Sequence, residues 1–229
     1  MAKTEKGIAK KARAHRIYKT REGATVPGVT SVLSVIAKPQ LIRWANELGL
    51  QGIDSGAYVS EAAVIGSLAH SMIQEHLGGP EWDRGAYSPA QVDLAENAFI
   101  SFLEWEKRTA KAMTTIHIEL PLVSECNRYG GTIDWYGDID GRKWLIDIKT
   151  SKDLYPEHVF QVAAYKELLV ENGYDVDGVR LLRVGRSEDE GFDDHIIGAE
   201  RLMLAAGVFM DALYLHRALG RYRKFKEAM

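Results

Sequence analysis

Cysteine is nearly absent from the sequence: Cys126 is the single one in 229 residues. One thiol makes no internal disulfide, no four-cysteine zinc site and no cysteine-held iron–sulfur cluster, so any metal must be held by oxygen and nitrogen. Long apolar runs are missing too. None reaches the roughly 18 residues of a membrane span, and the longest, Leu202 to Met210, belongs to a longer helical pattern. The N-terminus lacks the apolar centre of a secretory signal; its Lys/Arg richness has some likeness to a mitochondrial presequence, but the expectation is a cytoplasmic protein without membrane association. Also absent is a Gly-x-x-x-x-Gly-Lys-Ser/Thr run, which excludes a P-loop nucleotide site.

What is present is ordinary globular material, 46% hydrophobic and 27% charged, which excludes a largely disordered chain or a fibrous repeat. The net charge of −3 hides an uneven distribution. Residues 1–21 carry eight Lys/Arg against Glu5, and residues 216–229 carry five against Glu227, so the ends stand at +7 and +4 and the middle at −14. Basic ends suit a polyanion, and a carboxylate-rich centre suits a cation. The expected organisation is a basic tail over 1–22 and one domain over 23–229.

Spacing predicts helices over Pro39–Leu48 (stopped by Gly49), Val59–Leu77, Pro89 to about Lys111, Pro156–Asn172 and Ala199 to about Phe225. Alternation predicts strands over Thr115–Leu122, Gly131–Ile139, Arg142–Lys149, Val179–Val184 and, more weakly, Asp194–Ile197. The order implies an α/β domain around a central mixed sheet flanked by helices, with additional N-terminal helices and a long C-terminal helix.

Asp140-Gly141 between two alternating runs marks a two-residue hairpin turn with φ > 0 at both positions. That turn pairs Ile139 with Arg142, Trp135 with Ile146, and Asp134 with Asp147. Strict alternation puts Asp147, Lys149 and Leu145 on one polar face with Asp134, Thr132 and Tyr136. It puts Ile133, Trp135, Trp144, Ile146 and Ile148 on an apolar one. Two carboxylates facing each other across a ladder repel, and require a compensating charge: Lys149, and a divalent cation. Hard oxygen donors without thiolate favour Mg²⁺ or Mn²⁺. On the following helix Gln161 and Tyr165, spaced i, i+4, share one face. His70 sits beside the apolar stripe of its own helix, with Gly66 one turn earlier leaving room for a backbone or an ion. Glu119 shares the face of His117 in its alternating run.

These residues resemble the PD-(D/E)XK nuclease superfamily. The motifs are Gly130-Gly131-Thr132-Ile133-Asp134, then Leu145-Ile146-Asp147-Ile148-Lys149-Thr150, then Gln161-Val162-Ala163-Ala164-Tyr165. With Gly66-Ser67-Leu68-Ala69-His70 upstream, the set is similar to the RecB-type, phage-exonuclease branch. The stretch Val26-Pro27-Gly28-Val29-Thr30-Ser31-Val32-Leu33 resembles the opening of phage and mitochondrial genome-maintenance exonucleases, with Gly28 where serine is usual. The resemblance runs from about Val26 to Val184. It implies a restriction-endonuclease-like core and a metal held by Asp134, Asp147, His70 and the main-chain carbonyl of Ile148, with Glu119 a weaker candidate. It further implies Lys149 as the catalytic lysine, Gln161 and Tyr165 near the scissile strand, and DNA contacts from Thr30 and Ser31. One or two Mg²⁺ or Mn²⁺ ions, no iron–sulfur cluster and no nucleotide are the implied cofactors. DNA is the implied substrate, within phage-type recombination, repair or processing alongside a single-strand annealing or single-strand binding protein. The alternatives are a structure-specific endonuclease of the same fold and a non-catalytic DNA-binding or assembly subunit.

Overall fold

The computed structural model describes residues 16–109 and 112–227. The first described residues form a small antiparallel hairpin, β1 (Tyr18–Lys19) with β2 (Thr25–Val26), and a one-turn helix α1 (Val29–Leu33). Then come α2 (Pro39–Leu50), α3 (Ser55–His76), a single 3₁₀ turn (Arg84–Ala86) and α4 (Pro89–Thr109). The sheet begins with β3 (Met113–Ser124), β4 (Tyr129–Ile139) and β5 (Arg142–Lys149). After α5 (Pro156–Glu171) it resumes with β6 (Gly178–Val184) and β7 (Phe192–Ile196), and α6 (Ala199–Glu227) closes the described chain.

The five expected helices and five expected strands all form, with shifted ends, and β1, β2, α1 and the 3₁₀ turn are additions that the spacing does not predict. Gly49 does not stop α2, which continues to Leu50; the left-handed residue past its end is Gly52 (φ 74°). α3 starts at Ser55, four residues before the expected Val59, because the Asp54 carboxylate accepts from the Ala57 N–H at 2.7 Å and caps it. The expected end of the next helix at Lys111 falls outside the described residues. Residues 1–15 of the basic N-terminus lie outside them as well, whereas Tyr18 and Lys19 are already paired in β1.

The five-stranded sheet has the order β3-β4-β5-β6-β7. It is mixed: β5 and β6 run parallel, joined by the crossover helix α5, and the other neighbours are antiparallel. The β4–β5 hairpin has the expected register, Ile139 opposite Arg142 and Trp135 opposite Ile146. Asp140 (φ 53°) and Gly141 (φ 81°) make its turn.

Both faces of this sheet are covered. On one, α1, α5 and α6 bury Leu145, Ile133, Tyr136, Val179 and Leu181. On the other, α3 and α4 bury Trp135, Trp144, Ile146, Ile148 and Leu182. The expectation of one apolar and one polar face is therefore corrected. β5 is a central strand, and its Asp147 face is roofed by an apolar helix rather than by water. Among the described helices, α6 is long and apolar enough to cross a membrane by length and composition. Leu202, Ala205, Phe209 and Leu213 on its inner side belong to the core, while Leu204, Tyr214, Tyr222 and Phe225 are exposed.

Gly141 has open space around its Cα, so an alanine there meets only backbone strain. Gly141→Ala is expected to lower stability by about 1–2 kcal/mol, read as a lower urea midpoint with an unchanged slope.

Candidate metal site

Alternation breaks on two neighbouring strands at one level. On β3, Ile118 packs with the α3–α4 core, whereas Leu120, two residues on, packs with the α5–α6 core. On β4, Trp135 and Ile133 divide in the same way. Between these pairs stand Glu119 and Asp134, and Glu119 is left-handed (φ 52°). The reading of Ile133 with Trp135 on one face is thereby corrected, and so is that of Glu119 with His117. His117 stacks on Tyr136, while Glu119 turns toward α3, whose Gln74 Nε2 donates to its Oε1 at 2.8 Å. A left-handed non-glycine residue costs about 1–2 kcal/mol and persists only where its surroundings hold it.

The second break lies between β4 and β5, whose ladder runs from Ile139–Arg142 to Trp135–Ile146. Asp134 and Asp147 follow at the next level, where the expected pair between them is not made because the strands have parted. The Asp134 carboxylate enters the opening and its Oδ2 accepts the Ile148 N–H at 2.9 Å. The side chain thus replaces a ladder bond and ties the diverging strands together.

α3 reaches this fork closely. A Cβ on Gly66 would stand 2.8 Å from Thr150 Oγ1, so glycine lets the helix touch the end of β5. One turn later His70 Nδ1 lies 3.8 Å from Asp134 Oδ2. His70, Glu119 and Asp134 each present a ligand atom, all within 4.8 Å of one another. One imidazole and two carboxylates make a donor set that could hold a divalent cation.

Asp147 stands behind this trio and is 1% exposed. Lys149 Nζ approaches its Oδ2 at 2.6 Å, yet neither carboxylate oxygen receives an aligned hydrogen bond. Burial, opposed by Lys149 and reinforced by Asp134, lifts its pKa from 3.8 to about 6. A buried carboxylate held by one ammonium and set beside another carboxylate fits a site completed by a cation.

From the other layer, α5 holds the lysine. Gln161 Oε1 accepts from Lys149 Nζ at 3.0 Å, and Gln161 Nε2 donates to the Tyr165 hydroxyl at 2.9 Å. The i, i+4 pair is thus one chain of hydrogen bonds ending on the lysine. Burial and the two aspartates hold the Tyr165 pKa well above its usual value, so the phenol keeps its proton. Gly131 admits this ring, since a Cβ there would meet Tyr165 Cε1 at 2.6 Å. Burial, and then Lys149, push His158 down to about 4, leaving it a neutral acceptor for the Tyr155 N–H.

The structure thus gathers His70, Glu119, Asp134, Asp147, Lys149, Gln161 and Tyr165 at the fork. Ile148 contributes its N–H there through the bond to Asp134. Thr30 is exposed and Ser31 half-buried on α1, and neither enters the hydrogen-bonded group around Lys149. Two participants escaped the reading of the sequence. Gln74 follows His70 by one helical turn, a signal available from spacing. Tyr18, whose hydroxyl hydrogen-bonds Thr132 Oγ1 at 2.8 Å, lies 114 residues from its partner and carried no local signal.

No protein-family profile matches the sequence, and no curated protein sequence matches it. Solved structures do resemble the fold. A presumed exonuclease of Eubacterium rectale matches at 14% identity and TM-score 0.45, over 67% of this chain and 68% of its own. LHK-Exo in complex with dAMP matches at 14% identity and TM-score 0.43, over 89% and 93%. The alkaline exonuclease LHK-Exo from Laribacter hongkongensis matches at 16% identity and TM-score 0.41, over 88% and 92%.

Because folding raises the Asp147 pKa, the folded chain binds that proton more tightly than the unfolded one. The resulting stabilisation is complete below about pH 4 and is lost as pH rises through about 6. In chelator at pH 8, Asp147→Asn is therefore expected to be more stable than the parent, by on the order of 3 kcal/mol. The gain should shrink toward zero below pH 4, and paired thermal melts across this range measure it.

Proposed function

We propose that the chain is a divalent-metal-dependent nuclease that hydrolyses DNA phosphodiester bonds, acting from ends. The observation that carries this reading is the buried, under-bonded Asp147, paired with Lys149 and set against the His70–Glu119–Asp134 trio. An acid pair, a lysine and a third donor at a strand fork suit the attack of water on phosphorus.

His70, Glu119 and Asp134 would hold a divalent cation, with Asp147 completing the charge behind them. A cation bound there lowers the pKa of a coordinated water and neutralises charge on a non-bridging phosphate oxygen. Lys149 is fixed from two sides, by Asp147 and by Gln161 Oε1. An ammonium N–H not engaged by Gln161 is left for the attacking water or for the oxygen on which charge develops. Gln161 uses both ends of its amide, one on the lysine and one on Tyr165, so the ammonium cannot swing away without breaking that chain. The neutral Tyr165 hydroxyl, besides accepting from Gln161, has a proton to offer a phosphate oxygen. Attack from strand ends rests on the motif resemblance, as do a Mg²⁺ or Mn²⁺ preference, a recombination or repair setting and a cytoplasmic location.

Lys149→Met should reduce DNA cleavage by at least 100-fold with little change in thermal melting, because Asp147 can then hold a proton instead of an ion pair. End-labelled linear DNA and covalently closed circular DNA, assayed with Mn²⁺, test the end preference. Linear substrate is expected to be degraded and closed circles spared; rapid cutting of closed circles would make the enzyme an endonuclease. Cleavage at the parent rate by Lys149→Met would contradict the assignment of the site.

A further inference from the structure

We infer that Gln74 is a positioning residue for the metal site, acting through Glu119. The inference rests on the reading of His70, Glu119 and Asp134 as cation ligands. His70 and Gln74 are spaced i, i+4 and so face the fork from one side of α3. The helix ends just beyond: the Gly79 N–H donates to the Gln74 carbonyl at 2.7 Å, and Gly78 is left-handed (φ 92°). This turn fixes the last full turn of α3 and with it the origin of the Gln74 side chain. Gln74 is itself buried, 7% exposed, where an amide must find partners.

Its Nε2 donates to Glu119 Oε1. That bond reaches the strained, left-handed residue at the point where β3 departs from alternation. It restricts rotation of the carboxylate and orients it toward His70 and Asp134. A neutral donor is the useful choice here. Lysine or arginine at position 74 would neutralise Glu119 and compete with a cation, whereas the amide steers the carboxylate and leaves its charge in place. Gln74 and Glu119 together line an open groove of about 440 Å³ with Gly78, Thr115 and Ile118. Glu119 therefore borders solvent on this side, where a loosely held carboxylate would turn outward.

Calorimetric titration of the full chain with Mn²⁺ alone, without DNA, tests this. Gln74→Met keeps the length and loses the donor, and is expected to weaken Mn²⁺ binding about 10- to 100-fold with a melting temperature near that of the parent. Gln74→Asn, polar but one methylene too short to reach, should show the same loss and serves if the methionine variant folds poorly. In a cycle with Glu119→Gln, the double variant should bind no more weakly than Glu119→Gln alone, because the amide acts only through that carboxylate. Cleavage by Gln74→Met should recover at higher Mn²⁺. Parent-like affinity in a folded Gln74→Met, or losses that multiply in the double variant, would overturn the inference while leaving the metal site in place. A parent protein that takes up no Mn²⁺ would overturn both.

Discussion

At a single level of the sheet, β3 and β4 both abandon the pleat, and the two residues released, Glu119 and Asp134, are carboxylates. A strand that alternates throughout sends each side chain into one core layer or the other. Here the switch of phase leaves one residue on each strand committed to neither layer, at the seam between them. The seam is where α3, from one layer, and α5, from the other, can both deliver side chains. His70 and Gln74 arrive from α3, and Gln161 and Tyr165 from α5. The chemistry of the site thus depends on a backbone irregularity whose cost the packed layers around it absorb.

The parting of β4 from β5 supplies the other half. Once their ladder ends at Trp135–Ile146, Asp134 bonds the Ile148 N–H in place of the missing partner. Asp147 remains on a central strand, under α5, with no such outlet. Its carboxylate is held by Lys149 and raised in pKa by burial. At neutral pH the fold is therefore under electrostatic load there, which a cation bound at the fork would relieve. Sites that trade stability for chemistry commonly have this form.

Much of this was legible in the sequence, and the limits have physical causes. The Asp140-Gly141 turn sets the β4–β5 register, because a two-residue turn needing two positive φ values leaves little freedom. From it follow the neighbourhood of Asp134, Asp147 and Lys149 and, by helical spacing, the joint action of Gln161 and Tyr165. Period-2 reasoning fails at Glu119 and Asp134, since nothing local announces a left-handed glutamate. It also assigned a solvated face to β5, because a few polar residues on a strand do not reveal that an apolar crossover helix will cover them. Tyr18 became visible only through long-range packing of the N-terminal hairpin beside Gly130.

The two broken strands and α3 together would create one divalent-cation site. Anomalous scattering from crystals of the protein soaked in Mn²⁺ tests it most directly. The account predicts a strong anomalous peak within coordination distance of His70, Glu119 and Asp134. A Mn²⁺-saturated crystal with no peak there, or with its peaks confined to surface carboxylates elsewhere, would contradict it.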